Sequence, residues 1–495
     1  MKLARFFLFG CVITAGAFAL RVLFLDAQSL WWDEIAPIVI AQLPFPEWLV
    51  PVFQDRGHPP GLYFLLTFLT LFGVNEFWLR FLSVFLGTLS VAILARLGKR
   101  IGGARVGLIA ALLMAISPFY IWYAQEVRMY ALLIFAALAS AWAFIELLHR
   151  PRRSIAFGLF AADVFGLYAH YLFGLFLLTQ LLFLVMSRGR YPRALRMWMA
   201  ATFGAGALFG AWLLMLQLSP VQGRPNLDWI PNAQWYDPAL SFYSALLGAS
   251  AEPTFFFNWV TPLLGLLLAA YGVIVFWKTR ARENVRYVLT WLIVPWLFLF
   301  LVSIVMPRRA LYVDRYLTPF MPALLLLIAL GASALYAKQR VVFAIAGVIA
   351  LMPVLLSLSN MYTMPRYARD DWRGLVAYLE KNVQAPREAV LMDLSLELPF
   401  DFYNRKNLTR LEHPFGNDPQ LGAWFQNNAS LKNYAAVWLV TTALPINVHR
   451  FYPDEAGQRA FARQDAFKRA MDARYRSVLE VWFPGLVLTK YQVSP

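Results

Sequence analysis

Two adjacent carboxylates, Asp33 and Glu34, follow the first long apolar run in the stretch Ser29-Leu30-Trp31-Trp32-Asp33-Glu34. Aromatic surroundings at the end of an apolar helix partly desolvate a carboxylate, which raises its proton affinity and makes it a better general base. We therefore predict that Asp33 is a catalytic base and that Glu34 contacts substrate. The alternative is an exposed acidic loop without a chemical role.

A second group of reactive side chains lies in residues 117–130, where Glu126 and Arg128 precede an apolar run. Aromatic residues surround them: Tyr120, Trp122, Tyr123 and Tyr130. We predict Glu126 as a second catalytic carboxylate, Arg128 as an anion ligand, and Tyr123 and Tyr130 as substrate contacts. Alternatively, Arg128 only pairs with Glu126 or extends to lipid headgroups.

Cations and imidazoles recur near other apolar runs. Arg56 and His58 begin the stretch Arg56-Gly57-His58-Pro59-Pro60-Gly61, where lipid phosphate is an obvious partner, although His58 could instead cap a turn. His170 lies in Tyr168-Ala169-His170-Tyr171. A satisfied interfacial histidine is the favoured interpretation there, and substrate binding is the alternative.

Three guanidinium groups occur within residues 307–316, at Arg308, Arg309 and Arg315, and Tyr316 follows as a candidate substrate contact. Guanidinium offers planar, multidentate donors, so this turn suits a phosphate or pyrophosphate. Nonspecific contact with headgroups is the alternative.

Composition limits the class of protein that can carry these groups. The chain has 495 residues, of which 60% are hydrophobic and 15% charged, against roughly 25% charged in soluble domains. Recurring apolar runs up to about residue 360 indicate a polytopic membrane protein. The net charge of +16 does not indicate nucleic-acid binding, because the basic residues form short clusters between apolar runs.

The N-terminal run has two interpretations. Ala17-Phe18-Ala19 resembles the cleavage site of a secretory signal, but the apolar run continues to Leu25 and is long enough for a retained anchor, which we prefer. The single cysteine, Cys11, lies in this run, so no intrachain disulfide is possible.

The alternation of basic clusters predicts about eleven membrane crossings, with the N-terminus in the cytoplasm and residues 361–495 outside. The run at residues 59–73 is too short to cross and is predicted to be a short helix at the outer interface. Five arginines depart from the positive-inside pattern and fall on the outer side: Arg56, Arg128, Arg308, Arg309 and Arg315.

Beyond residue 366 the hydrophobic bias falls, and the pattern becomes mixed. The periodicity predicts helices over 371–381 and 454–474, buried strands over 389–394 and 435–441, and a hairpin over 477–483 and 486–491. We therefore predict an α-helical transmembrane domain over 1–360 and a small soluble α/β domain over 361–495.

The ordered motifs Trp32-Asp33-Glu34, His58-Pro59-Pro60, Phe77 to Ser83, Gln125 to Leu132 and Asp314-Arg315-Tyr316 resemble those of bacterial GT-C membrane glycosyltransferases. The similar families are the protein O-mannosyltransferase-like and lipid A aminoarabinose transferase-like enzymes. Asp370-Asp371-Trp372-Arg373 also resembles bacterial members.

This resemblance implies a sugar donor linked to a polyprenyl phosphate in the bacterial inner membrane, and attack by a hydroxyl of a glycan, lipid or protein on the non-cytoplasmic face. It implies Asp33 as the base, Glu126 as a group that orients the acceptor or the base, and no metal or other cofactor. In the aminoarabinose branch a lysine precedes Pro-Pro, whereas this chain has His58. Which cation contacts the lipid phosphate is therefore open among His58, Arg56 and the 308–315 cluster.

Two other functions remain open. A flippase for lipid-linked sugar could also place arginines near phosphate, but it should carry charges near the bilayer midplane, where Asp163 is the main candidate. A ligase that transfers a whole glycan from a pyrophosphate-linked lipid is the second alternative.

Overall fold

The computed structural model describes residues 3–227, 229–306, 310–413, 424–425, 431, 433–443 and 455–493, with the backbone alone at 3 and 455–460. It divides into two compact units. The first comprises Met1–Leu25 and Ile40–Asn360, and the second comprises Asp26–Val39 and Met361–Pro495. A segment from the first forty residues thus groups with the C-terminal unit.

The helices up to residue 363 are α1 (Leu3–Val22), α2 (Trp32–Ala41), α3 (Leu49–Asp55), α4 (Gly61–Thr70), α5 (Glu76–Gly102), α6 (Ala104–Ile116), α7 (Pro118–Ala124), α8 (Tyr130–His149), α9 (Arg153–Ala169), α10 (Phe173–Met186), α11 (Pro192–Leu218), α12 (Asp237–Leu247), α13 (Val260–Trp277), α14 (Arg282–Val305), α15 (Asp314–Leu317), α16 (Pro322–Lys338) and α17 (Arg340–Thr363). Helices α8 and α16 are buried along most of their length. In contrast, α1 and α17 expose large apolar side chains, as lipid-facing helices do.

The first unit is a helical, polytopic membrane domain. Among the described residues, seven helices are long and apolar enough to cross a membrane, and the bent pair α6 and α7 makes an eighth if it is one span. Helices α9, α10 and α16 have 17, 14 and 17 residues, which is short for a full crossing. The figure of about eleven crossings stays a prediction.

Basic helix ends meet at one end of this unit. The Lys99 ammonium near the end of α5 lies 4.3 Å from the centre of the Phe6 ring on α1. Arg100 is 3.1 Å from Glu146, which is near the end of α8. The start of α1 therefore lies beside the ends of α5 and α8, as the alternation of charged clusters predicts.

The break between α6 and α7 has a local cause. Ser117 is extended because the residue before a proline is disfavoured in the helical region, and Pro118 then begins α7 at an angle of 64° to α6. Arg21 of α1 is fully buried and donates hydrogen bonds to the carbonyl oxygens of Met114 (3.1 Å) and Ala115 (3.2 Å). These carbonyls lie in the last turn of α6, where intrahelical partners are missing.

The short helix predicted within residues 59–73 is confirmed as α4, and its depth in a membrane stays a prediction. Several short helices were missed by the sequence pattern, including α7 and α15. Helices α2 and α3 precede α4, and the buried helix α12 lies inside the predicted outer loop at 217–258.

The second unit contains a five-stranded mixed sheet of order β2-β1-β3-β5-β4. Its further elements are α18 (Trp372–Asn382), β1 (Glu388–Asp393), α19 (Glu397–Tyr403), β2 (Arg410–His413), β3 (Ala436–Thr442), α20 (Glu455–Asp472), β4 (Arg476–Phe483) and β5 (Leu486–Gln492). Strands β2 and β3 each pair parallel with β1, whereas β5 is antiparallel to β3 and β4. The helix, strand and hairpin predictions beyond residue 366 are confirmed, and β2 was not predicted.

Alternating side chains of the sheet build two cores. Val390 packs in a cluster with Trp372 and Phe400, on the face covered by α18 and α19. The next residue, Leu391, packs with Phe467 and Met471 of α20 on the opposite face. This period of two is what a strand buried on both faces requires.

Helices α13 and α16 cross closely at Gly272 and Gly331. A Cβ atom at Gly331 would overlap the Leu268 carbonyl oxygen, and one at Gly272 would lie 2.8 Å from the Leu327 carbonyl oxygen. Glycine is required here because backbone opposes backbone and has no side-chain freedom to yield.

We expect Gly331→Val to destabilise the protein by about 1–3 kcal/mol, as overpacking does, and to lower its thermal unfolding temperature in detergent. Gly347→Val is the matched control, because a Cβ at Gly347 of α17 meets nothing within 4 Å. Equal unfolding temperatures for the two variants would contradict the close crossing.

Candidate active site

Residues 125–129 form the turn between α7 and α8, and hydrogen bonds fix this turn to its neighbours. The side chain of Gln125 donates to the carbonyl oxygens of Arg21 and Leu23 at the end of α1, both at 3.0 Å. Ser83 of α5 donates to the carbonyl oxygen of Glu126 at 2.6 Å. The backbone on which Glu126 and Arg128 depend is therefore held from two sides.

The Glu126 carboxylate is buried and oriented. Its Oε1 accepts a hydrogen bond of 2.6 Å from the indole Nε1–H of Trp122, one turn earlier on α7. The side chain is 2% exposed. This hydrogen bond holds the carboxylate in a defined orientation, which suits a group that positions another reactant.

Asp55, His58 and Arg128 form a chain of polar contacts. Asp55 Oδ2 lies 2.9 Å from His58 Nδ1, and Nη2 of Arg128 lies 3.5 Å from His58 Nε2. The local sequence explains the first contact: α3 ends at Asp55, Arg56 adopts φ 50°, and this left-handed turn brings His58 back to the carboxylate. The close approach also uses Gly57, where a Cβ would lie 3.2 Å from the Asp55 oxygens.

Charges in this chain shift the pKa of Asp55. Burial alone would raise the pKa of this carboxyl, but the hydrogen bond from His58 and the nearby charge of Arg128 lower it below its ordinary value. Asp55 is therefore an ionised partner for the His58 imidazole at neutral pH.

His170 lies in the turn between α9 and α10, beside the same chain. Its ring centre is 6.0 Å from that of His58 and 5.2 Å from that of Tyr316. Its Nδ1 accepts the backbone N–H of Leu172 at 3.1 Å, which leaves the ring proton on Nε2. Burial, followed by the nearby charge of Arg128, lowers the pKa of His170 to about 3, so this imidazole stays neutral.

Arg315 and Tyr316 continue the cluster through Trp229. The Arg315 guanidinium lies 4.8 Å from the centre of the Trp229 ring, and that ring is 6.3 Å from the Tyr316 ring. The structure thus brings His58, Arg128, His170 and Tyr316 together, as neighbouring parts of a site require.

The other predicted residues have varied surroundings. Arg56 donates to the carbonyl oxygens of Phe53 (3.2 Å) and Val221 (3.0 Å), so its guanidinium stabilises a loop. Tyr123 and Tyr130 pack edge to face at 5.1 Å. Arg308 and Arg309 lie outside the described residues.

Asp33 and Glu34 belong to the second unit, in the first turn of α2. Asp33 is half-buried, at a helix N-terminus, where the backbone favours negative charge. Glu34 is fully buried, and its Oε2 lies 4.0 Å from Arg369 Nε. Its predicted contact with substrate stays a prediction.

Residues 370–373 support the segment that leads to Asp33. Ser29 donates to the Asp370 carbonyl oxygen (2.6 Å) and accepts the Trp372 N–H (3.1 Å). Arg373 donates to the carbonyl oxygens of Asp26 and Ala27. The motif noted at the start of the C-terminal domain therefore fixes the backbone near Asp33.

Asp163, the residue on which the flippase alternative depends, lies in a buried hydrogen-bond network. Its two carboxylate oxygens accept hydrogen bonds of 2.7 Å from Ser140 and Thr202, and Gln180 donates to Ser140 at 3.0 Å. This fully buried network joins α8, α9, α10 and α11, and its hydrogen bonds hold these helices together. Within the described residues, no group of three or more His, Cys, Asp or Glu side chains is placed to hold a metal ion.

Asp55, Trp122 and Ser83 are site residues that sequence reasoning missed. Asp55 could have been found from its spacing, since it precedes His58 by three residues. Trp122 was noted only as an aromatic neighbour, and nothing in the local sequence links Ser83 to Glu126.

Residues 57–214 match the sequence family described as Dolichyl-phosphate-mannose-protein mannosyltransferase. This range begins beside His58 and includes Glu126, Arg128 and His170. Over this segment, which is less than half of the chain, the sequence is similar to that family. The helices that are long and apolar enough to cross a membrane indicate an integral membrane protein with several spans. No curated protein sequence is significantly similar to the chain.

Several solved structures share the fold of this chain. ArnT from Cupriavidus metallidurans bound to undecaprenyl phosphate has a TM-score of 0.54 at 14% identity, covering 97% of each chain. The oligosaccharyltransferase of Archaeoglobus fulgidus with Zn and sulfate has a TM-score of 0.53 at 14% identity, covering 87% of this chain and 67% of that one. AglB from Archaeoglobus fulgidus in complex with an inhibitory peptide and a dolichol-phosphate has a TM-score of 0.56 at 12% identity, covering 98% and 74%.

Loss of the indole donor should impair a transfer reaction in which Glu126 positions a reactant. We expect Trp122→Phe to lower sugar transfer about tenfold, because Glu126 loses a charge-assisted hydrogen bond. The measurement is the rate and the acceptor KM of purified enzyme in liposomes. Trp235→Phe is the matched control, since Trp235 is 83% exposed. An unchanged rate and KM in Trp122→Phe would show that the orientation of Glu126 does not matter.

Proposed function

We propose that this protein is a glycosyltransferase that moves a sugar from a polyprenyl phosphate to an acceptor hydroxyl at the non-cytoplasmic membrane face, in a single inverting displacement. The observation that supports it most is the cluster of Arg128, His58 and His170 beside Asp55, within the segment that matches the family. Buried cationic and imidazole groups of this kind suit a phosphate that gains charge as it leaves.

The chemical step balances without a further reactant. The acceptor oxygen attacks the anomeric carbon opposite the phosphate, the bond from that carbon to the phosphate oxygen breaks, and its electron pair remains on the phosphate. The acceptor proton passes to Asp33 as general base. Glu126 orients the acceptor or the base. Help from a general acid is minor because phosphate is already a good leaving group.

The phosphate would be stabilised by Arg128 and His58, with Arg315 as a further cation of the same unit. Arg308 and Arg309 remain candidates on sequence grounds. Arg56 is a weaker candidate because its guanidinium already serves two backbone carbonyls. Tyr123, Tyr130, His170, Tyr316 and Glu34 are proposed contacts of sugar or acceptor.

The sidedness of the reaction follows from charge. The end of the first unit that holds the start of α1 and the ends of α5 and α8 carries Lys99 and Arg100, and we assign it to the cytoplasm. With about eleven crossings, residues 361–495 then lie outside the cytoplasm, at the inner membrane of a bacterium. No metal or other cofactor enters this mechanism, and the acceptor class stays among glycan, lipid and protein.

We expect Asp33→Asn to lower sugar transfer by about 10²- to 10⁴-fold, the usual contribution of a general base, while folding is retained. The measurement is release of polyprenyl phosphate from a panel of lipid-linked sugars in liposomes. Asp26→Asn, an exposed residue of the same segment, is the matched control and should retain activity.

A folded and active Asp33→Asn enzyme would overturn the assignment of the base. If no donor is consumed but labelled lipid crosses the bilayer, the protein is a flippase. Consumption of pyrophosphate-linked glycan alone would identify a ligase.

A further inference from the structure

Two contacts of His58 indicate where its proton lies when no phosphate is bound. Nδ1 faces the Asp55 carboxylate at 2.9 Å, so this nitrogen donates. Nε2 faces Nη2 of Arg128 at 3.5 Å, and a guanidinium has donors only, so Nε2 accepts. Both conditions are met by a neutral imidazole with its proton on Nδ1.

When an anion binds between Arg128 and His58, Nε2 of His58 must donate a hydrogen bond instead of accepting one. A phosphate oxygen is an acceptor, so it makes a hydrogen bond to Nε2 only when that nitrogen carries a proton. The imidazole is then a cation with both ring nitrogens donating, one to phosphate and one to Asp55. A charge-assisted bond on each side stabilises this form.

Other titratable groups face the pair from several elements. Tyr63 of α4 and Tyr171 after α9 interact with the charge of Asp55, and burial raises the pKa of Tyr171 above its ordinary value. Arg56 carries the remaining charge and is engaged with backbone carbonyls. Burial keeps Tyr63 and Tyr171 uncharged near neutral pH, and His170 stays neutral.

His170 supplies a further donor at the same place. Its Nε2 carries the ring proton, the side chain is 4% exposed, and among the described residues this nitrogen has no hydrogen-bond partner. A buried donor without an acceptor is costly unless something fills that role. Phosphate bound near His58 is a suitable acceptor.

We propose that binding of polyprenyl phosphate at Asp55, His58 and Arg128 is coupled to uptake of one proton by His58, with Asp55 as the positioning residue that stabilises the imidazolium. This inference rests on the proposed function and adds to it the uptake of one proton when the lipid binds. The donor is a phosphodiester with one negative charge, whereas the product is a monoester that can carry two. The proton, taken from water and returned to it on release, compensates the second charge.

The experiment is calorimetric titration of the full chain in detergent with polyprenyl phosphate, at about pH 7, in buffers of different ionisation heat. The difference between buffers gives the protons taken up per lipid bound. Polyprenyl phosphate titrates itself with a pKa of about 6, so the comparison is with His58→Gln, which cannot protonate. We expect wild type to take up about one proton more than this variant.

His149→Gln is the matched control, because His149 is exposed at the end of α8 and contacts only the carbonyl oxygen of Ile145 in the described contacts. It should match the wild-type proton count. Equal counts in wild type and His58→Gln, with lipid binding intact, would overturn the coupling and leave the proposed function standing. Absence of lipid binding at every pH would overturn both.

Asp55→Asn tests the positioning role. At about pH 8 we expect affinity for polyprenyl phosphate to fall about ten- to a hundredfold, because His58 loses the partner of its charged form. Lowering the pH to about 6 should restore much of this loss, since an unassisted imidazole then protonates. A loss that does not change with pH would assign Asp55 a merely structural role. The wild-type proton count tests the coupling even if this variant fails to fold.

Discussion

Arg21 donates hydrogen bonds to carbonyl oxygens at the C-terminal end of α6, inside an apolar bundle. The position of the candidate site depends on these hydrogen bonds. A buried guanidinium is costly without acceptors, and helical carbonyls that end inside a membrane domain are costly without donors. Because Pro118 ends the helix, the carbonyl oxygens of Met114 and Ala115 become available to Arg21. The direction of α7 and the position of the turn that bears Glu126 follow from that arrangement.

Local pattern revealed much of this protein but not its long-range pairings. Apolar length and charge alternation found the helices of the membrane unit, and strand periodicity found β1, β3 and the β4–β5 hairpin. Helix α12 was missed because its small and polar residues, such as Ser241 and Ser244, are buried against other helices rather than arranged as an apolar run. The grouping of Asp26–Val39 with the C-terminal unit was also missed, since no local pattern records that Ser29 pairs with Asp370.

In the candidate site, too, the sequence predicted residues but not the contacts between them. Its carboxylates, arginines and histidines were predictable from residue type and place relative to apolar runs. The geometry of the site was not predictable, because the sequence does not distinguish a side chain that donates to backbone carbonyls from one that contacts a ligand. Arg56 and Arg128 illustrate this: one donates to two carbonyls, and the other faces an imidazole. A histidine in place of the lysine before Pro-Pro also changes the charge at this position. A lysine is positively charged at neutral pH, whereas a histidine is charged only when both ring nitrogens carry a proton.

The pairing of Ser29 with Asp370 has a consequence for how the enzyme is made. The two residues are 341 positions apart, so the segment that carries Asp33 leaves the ribosome long before its hydrogen-bond partners. At a synthesis rate of ~5–20 residues per second, this interval is on the order of half a minute. The support of Asp33 is therefore completed only after residues 370–373 have been synthesised, and a chain interrupted before them contains Asp33 but lacks the contacts that fix its backbone.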